Sequence, residues 1–233
     1  MRVAWICGIL LFSAGTALGG EIIVEQVRGE VFVREGVGES WKPARIHERL
    51  RPHDSMMTGE DGSAVLLVTD EGAKKIHLPA GVIIDLSDFR TLTRDELILK
   101  LTMERVKAAP YEWKSNDLQI PNATVVHGSG ASGSEPNGDG DLEMARLQMN
   151  GAHLLYNTGY FSTCALKGLS LLGRFPSLGE SFDNRFMVAE SLERSNLPGE
   201  ALSEYTSLST LPGLTEDQEN RVRGKIAEIK GEK

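Results

Sequence analysis

Residues 127–141 read HGSGASGSEPNGDGD, and this stretch divides the chain into two parts of different character. It contains five glycines, three serines and one proline, and no apolar residue larger than alanine. Such a composition is typical of a flexible connection rather than a packed element. The sequence therefore predicts a Gly/Ser-rich linker over 128–140, with one module before it and another after it.

The part before the linker, residues 21–127, has the short alternating pattern of β-strands. Apolar residues alternate with polar ones or form short runs, and turn residues such as Gly36, Pro43 and Gly81 separate them. Turn signals about every ten residues are typical of a small sandwich or barrel. We therefore predict an all-β domain over 21–127, with strands near 23–27, 31–33, 64–68, 75–78 and 82–86.

Residues 93–109 are ambiguous between a helix and a strand. Residues 93–96 read TRDE, which has the form of a helix capping box. After them, alternate positions hold apolar residues: Leu97, Leu99, Leu101 and Met103. Alternation favours a strand, which we take as the prediction, and the helix stays open as the alternative.

After the linker, residues 141–233 follow a helical period. Apolar residues of the first block fall on one face of a helix, at Leu142, Ala145, Met149, Ala152 and Leu155. The turn signals that follow predict four more helices, near 160–172, 182–195, 198–210 and 215–229. Short loops between such helices predict antiparallel pairs. The predicted fold is thus α+β and multidomain, with a β module first and helical pairs second.

The amino terminus has the features of an export signal. Arg2 is the only charged residue before Glu21, and an apolar run from Val3 to Leu18 follows it. A basic start, a short apolar core and small residues at its end are typical of a secretory signal peptide. The run is shorter than the ~20 residues of a membrane span. We predict a signal peptide over 1–19 and an exported, periplasmic or envelope-associated protein, with an uncleaved anchor as the alternative.

Composition bounds the function further. The chain has 233 residues and a net charge of −8, which argues against general binding to nucleic acids. It has two cysteines, and only Cys164 would remain after cleavage of the signal, so no disulfide framework is predicted. None of the five histidines has the spacing of a metal site. We predict no cofactor, no metal and no catalytic constellation.

A set of turn and strand positions within 27–86 forms a pattern of its own. It comprises a Gly-x-Val-x-Val strand, a tryptophan, a Thr-Gly turn, an apolar strand and an Asp–Gly turn, at Gly29, Val31, Val33, Trp41, Leu50, Asp54, Thr58, Gly59, Ala64, Leu66, Asp70 and Gly72. This pattern resembles the FecR domain, a family named for the iron-dicitrate signalling regulator. Residues 117–128 resemble its closing strand. The resemblance implies an extracytoplasmic all-β module.

The pattern concerns turn chemistry rather than catalysis. We expect Gly29, Gly59 and Gly72 to occupy positions that need a positive φ. We expect Asp54 and Thr58 to form hydrogen bonds with the backbone of their own turns.

The helical part carries two similar units. Both place a small residue, an apolar residue three later, a turn residue four later and another small residue five later. The first unit is Ala152, Leu155, Gly159 and Cys164, followed by Pro176; the second is Ala189, Leu192, Asn196 and Ala201, followed by Tyr205. These units resemble tetratricopeptide repeats, although their starting alanines are 37 residues apart rather than 34. The last helix is expected to cap the array.

Five residues are candidates for contacts with a ligand or partner: Trp41, His53, Asp54, Tyr111 and Trp113. Aromatic residues in a β domain more often belong to a core, and Cys164 fits a buried packing position better than a nucleophile. The leading hypothesis is a non-enzymatic envelope protein that binds a protein partner through its helical repeats and a cell-wall polysaccharide as a further ligand. The alternatives are a signal regulator of the FecR type, or an envelope hydrolase using Asp54, His53 or His77.

Overall fold

The computed structural model describes residues 21–36, 38, 40–69, 72–108 and 139–231. Within these ranges the fold is mixed α+β, with two antiparallel sheets and six α-helices. The predicted signal peptide, linker residues 128–138, and the candidate residues Tyr111 and Trp113 lie outside the described residues.

Eight strands form two four-stranded sheets. Sheet A has the order β4-β1-β6-β7, and sheet B has the order β3-β2-β5-β8. Every strand pairing in both sheets is antiparallel. The strands are β1 (Ile22–Arg28), β2 (Val31–Arg34), β3 (Lys42–Pro43), β4 (Arg49–Leu50), β5 (Ser55–Thr58), β6 (Ser63–Val68), β7 (Lys74–Leu78) and β8 (Ile83–Asp85).

Alternation places one face of each sheet in a common core. Val24 of β1 and Leu66 of β6 are buried in sheet A, and Val33 of β2 and Met56 of β5 are buried in sheet B. All four belong to one hydrophobic cluster. The period of two in the sequence thus defines the inner faces of two sheets that share a core.

The predicted glycine turns are correct at two positions of three. Gly29 has a φ of 61° and Gly72 a φ of 110°, both in the left-handed region. Gly59 does not have a positive φ, so that prediction is wrong. A Cβ at Gly59 would lie 3.0 Å from the Cβ of Glu30, so the space for a side chain is tight at this position.

Asp54 and Thr58 were both expected to bond the backbone of their own turns, and only Asp54 does so. Asp54 accepts a hydrogen bond from the backbone N–H of Arg51 at 2.8 Å, within its own turn as expected. Thr58 instead reaches a different turn, where it donates to the carbonyl of Pro79 at 2.7 Å and accepts from the N–H of Val82 at 3.0 Å. The expectation for Thr58 is therefore wrong, because its hydroxyl joins β5 to the turn before β8.

The segment predicted as a strand is a helix, α1 (Arg94–Ala108). Thr93 begins it, since its hydroxyl accepts a hydrogen bond from the N–H of Glu96 at 3.2 Å. Leu97 and Leu101 are four residues apart and buried, whereas Leu99 is 61% exposed. The helix also carries apolar residues on its solvent side, at Leu99 and Met103. Together with the buried Leu97 and Leu101 they produce the alternation in the sequence that favours a strand.

The four bounded helical predictions after the first block are confirmed within two residues at each end, whereas the first helix begins at Asp139, so residues 139 and 140 are helical and not linker. The helices are α2 (Asp139–Thr158), α3 (Phe161–Arg174), α4 (Phe182–Arg194), α5 (Pro198–Leu208) and α6 (Glu216–Lys230). Short 3₁₀ segments also occur at Leu86–Asp88 and Pro176–Glu180. The predicted capping box of α6 is present, because Thr215 and Gln218 exchange side chain–backbone hydrogen bonds. Each helix from α2 to α6 packs against the next, and α2 also contacts α4.

The β-sandwich and the helical array pack directly against each other. Helix α2 lies on β8, with Gly151 so close to the carbonyl oxygen of Ile83 that a Cβ would collide with it. Ser162 of α3 accepts a hydrogen bond from the N–H of Leu92 at 2.9 Å. Helix α1 crosses α3 on another side. The two parts therefore share one continuous core, although the sequence suggests separate modules on a flexible linker.

Candidate functional site

A row of polar side chains crosses sheet B on the face opposite its core. Arg34, Ser55 and Asp85 are register partners on β2, β5 and β8. Arg34 donates to the hydroxyl of Ser55 at 3.3 Å, and Ser55 donates to Oδ1 of Asp85 at 2.7 Å. The guanidinium of Arg34 also lies 4.9 Å from the ring centre of Trp41. This row leads from the sandwich edge to the helical module.

Lys167 of α3 completes the row. Its Nζ lies 2.9 Å from Oδ2 of Asp85 and 2.8 Å from Oδ2 of Asp88, and its side chain is only 12% exposed. Burial alone would lower the pKa of Lys167, but the two carboxylates together raise it above its ordinary value. The Lys167 ammonium is therefore charged at neutral pH.

The two carboxylates respond differently to their shared cation. Burial would raise the pKa of Asp85, but Lys167 and the hydrogen bond from Ser55 together lower it. Burial raises the pKa of Asp88 against the attraction of Lys167. A cavity of about 270 Å³ adjoins the three residues, between α1 and α3. A protonated lysine held by two carboxylates is suited to joining two elements, and it is a poor general base.

A second group of charged residues lies on helices α2, α4 and α6. Tyr156 donates to Glu190 at 2.7 Å, and Arg194 donates to the other oxygen of Glu190 at 2.8 Å. Burial and the hydrogen bond to Glu190 raise the pKa of Tyr156 to about 12. Burial would raise the pKa of Glu190, but its two donors lower it. Both groups therefore keep their ordinary charge at neutral pH.

The neighbouring Glu193 also lies between a tyrosine hydroxyl and a cationic side chain. It accepts hydrogen bonds from Tyr205 at 3.0 Å and from Lys225 of α6 at 3.0 Å. Burial and the adjacent Glu193 raise the pKa of Tyr205. These contacts link α4 to both α5 and α6.

Two arginines of the helical module lie over aromatic rings. Arg194 is 4.8 Å from the ring centre of Phe161 and 5.5 Å from that of Tyr156. Arg221 is 4.3 Å from the ring centre of Phe186 and 5.5 Å from that of Phe182. Both arginines are exposed on their outer sides. We call these two pairs of contacts the arginine–aromatic surface.

The predicted contact residues Trp41, His53 and Asp54 lie at one end of sheet B. Asp54 is buried, and its oxygens accept from the N–H groups of Gly36 and Arg51. His53 is 63% exposed and lies 4.0 Å from Asp54. His77 is on β7 of the other sheet. Asp54 thus shapes the chain rather than presenting a free carboxylate, and His77 lies on a different sheet from His53 and Asp54.

Cys164 is a packing residue, as predicted. It is fully buried, and Ser191 of α4 donates a hydrogen bond to its sulfur at 3.2 Å. Burial raises the pKa of its thiol to about 12, so it carries no thiolate at neutral pH.

A cleft on the outer face of sheet A was not foreseen from the sequence. Its volume is about 660 Å³, and it lies between β1, β6 and β7 on one side and the end of α2 on the other. Arg28, Lys75 and His77 line it, above a floor that includes Val65 and Leu154. These residues are far apart in the sequence, so only the fold brings them together. We call this feature the sheet A cleft.

Among the described residues, no group of three or more His, Cys, Asp or Glu side chains could hold a metal ion. A search over the same residues finds no helix that is long and apolar enough to cross a membrane. Comparison of the chain with protein-family models, curated proteins and solved structures finds no match.

Proposed function

We propose that the chain is a non-enzymatic, exported bacterial envelope protein that binds a protein partner through its helical module. In this proposal the β-sandwich is a FecR-like module and takes a cell-wall glycan as a further ligand. The helical array is tetratricopeptide-like, with α2–α3 and α4–α5 as pairs and α6 as the cap.

The arginine–aromatic surface is the observation that carries the proposal. Arginine and aromatic side chains are enriched at the centres of protein interfaces, where they supply much of the binding free energy. Here Arg194 and Arg221 are already ordered over their rings, so a partner would lose little side-chain entropy by contacting them.

Close packing of the helices supports the tetratricopeptide-like part of the proposal. The small residues Ala152, Cys164, Ala189 and Ala201 are all fully buried. A Cβ at Gly168 would collide with the side chain of Val188, so α3 and α4 approach closely there. Such close approach is what the small positions of helical repeats allow.

The engagement of the reactive groups supports a non-enzymatic role. Cys164 is buried as a thiol, Asp54 is bound by backbone N–H groups, and Lys167 is held by two carboxylates. These three residues therefore give no support to the hydrolase alternative. The signal-regulation alternative has no specific observation in its favour.

The test is a quantitative capture experiment with the full chain from residue 21 and the cross-linked envelope fraction of the encoding bacterium. We expect the double variant Arg194→Ala/Arg221→Ala to recover its main partner about tenfold less than the unaltered protein, as expected for loss of interface hot spots. The matched control is Arg146→Ala/Arg223→Ala, which removes two exposed arginines from α2 and α6.

Equal loss in both double variants would show a general charge effect and contradict the proposal. So would the absence of any specifically captured protein. Circular dichroism of each variant shows whether its helices are intact, so that unfolding is not mistaken for loss of binding.

A further inference from the structure

Among the described residues, strand β7 is an edge of sheet A with no further strand beside it. It is five residues long, whereas the edge strands β3 and β4 have two residues each, and β8 is covered by α2. In the described part of the chain, no residue outside the ladder with β6 forms a hydrogen bond to the backbone of residues 74–78. An edge of this kind can accept an additional strand.

The sheet A cleft borders this edge and is positively charged. The side chains of Arg28 and His77 form no ion pair or hydrogen bond with any of the described residues, and Lys75 pairs with Glu25 while remaining 63% exposed. None of the described residues that line the cleft is acidic. The cleft is therefore complementary to a ligand that carries negative charge.

The floor of the cleft is aliphatic. Val65 and Leu154 are buried there, and no Phe, Tyr or Trp is found among its described lining residues. Sugar rings are commonly bound on flat aromatic faces, and the cleft does not offer one. An extended peptide with acidic side chains at alternate positions presents all of them to the cleft face of the sheet, where Arg28 and Lys75 lie.

We propose that the sheet A cleft binds an extended acidic peptide segment of a partner protein, which pairs with the edge of β7 that no described strand occupies. Every second side chain of that segment faces the cleft, and acidic side chains at these positions lie on the same face of the sheet as Lys75, with Arg28 further along the cleft. This surface is distinct from the arginine–aromatic surface, so either proposal can fail without the other.

Fluorescence anisotropy with the full chain from residue 21 tests this proposal. The probe is a fluorescein-labelled peptide of alternating Glu and Val, and the comparison peptide has Lys in place of Glu. We expect only the Glu/Val peptide to bind, and added salt to weaken it, because exposed charges are screened. N-methylation of alternate amides should weaken binding as well, because it removes the donors that pair with β7.

Reversing the charges of the cleft residues tests whether the peptide binds in the sheet A cleft. The double variant Arg28→Glu/Lys75→Glu should weaken binding of the Glu/Val peptide about tenfold or more. The control Lys100→Glu/Arg223→Glu makes the same change in net charge at two helical sites whose cations lie 4.0 and 3.9 Å from a glutamate, and it should leave binding unchanged. Because Lys75→Glu faces Glu25, the single variant Arg28→Glu provides a second measurement if the double variant is unstable.

Several results would overturn the proposal. These are equal binding of the two peptides, indifference to N-methylation, or equal weakening by the control variant. Tighter binding of oligogalacturonate that the same variants abolish would assign the cleft to an anionic glycan. A concentration-dependent dimer abolished by Arg28→Glu would assign it to a second copy of the chain.

Discussion

Lys167 joins the β-sandwich to the helical module through the two carboxylates of Asp85 and Asp88. Removing one partner from a buried ion cluster leaves uncompensated charge, which costs far more than the intact cluster contributes. The residues on either side are fixed by other contacts, since Thr163 donates to the carbonyl of Asp88 at 2.9 Å.

Substitution Lys167→Met should lower the free energy of unfolding at pH 7 by about 3–5 kcal/mol. The folded pKa of Lys167 lies above its ordinary value of 10.5, so its contribution is complete below that pH and is lost as the pH rises further. Stability should therefore fall less steeply in the variant than in the unaltered protein above about pH 10.5. Urea unfolding at a series of pH values measures both effects.

Lys100→Met is the matched control, because Lys100 is 38% exposed and only 4.0 Å from Glu96. It should cost less than about 1 kcal/mol. Equal losses for the two variants would show that the Lys167 cluster has no special part in stability.

Helix α1 is the element whose sequence is easiest to misjudge. As a strand, Leu97 and Leu99 would point to the same face, whereas in the helix only Leu97 is buried. Leu97→Ala should therefore cost about 2–5 kcal/mol, and Leu99→Ala should change stability by less than about 0.5 kcal/mol. Thermal or urea unfolding of both variants decides the matter, and similar losses at both positions would contradict the helix.

Prediction from sequence succeeds where one pattern dominates an element. The helices α3 to α6 carry a single apolar face and clear turn residues, and the main strands of the β module carry a clean alternation or a continuous apolar run. Residues 93–108 fail because two patterns coincide. The capping box at Thr93 was the correct signal, and the apolar residues Leu99 and Met103 on the solvent side obscured it.

The sites were less predictable than the elements. Arg28, Lys75 and Leu154 meet in the sheet A cleft only because α2 returns to the sandwich, and no spacing in the sequence encodes that return. Trp41 was a candidate as an exposed ring, but Arg34 occupies one of its faces. The arginine–aromatic surface could have been suspected from Arg194 one helix after Phe161, once the helices were paired.

At the scale of the whole molecule, the shared core predicts that the two modules unfold together. In a Trp113→Phe chain from residue 21, Trp41 reports on the sandwich and far-ultraviolet circular dichroism reports on the helices. The two signals should give coincident unfolding transitions. Gly151→Val should separate them, because a side chain there would push α2 away from Ile83 of β8.

The control for this experiment is Gly224→Ala in the middle of α6, where the space around the glycine is open. It should raise stability by about 0.5–1 kcal/mol and leave the transitions coincident. Separate transitions in the unaltered protein would contradict the shared core.

Because α2 packs on β8, strand β8 stays exposed during synthesis until α2 has been made. The sandwich strands emerge first, and more than seventy residues must follow β8 before α2 is complete. Until then the hydrogen-bonding groups of β8 and the apolar surface at Ile83 lie bare to other nascent chains. A chaperone that holds the chain through this interval would protect it where it is most prone to aggregate.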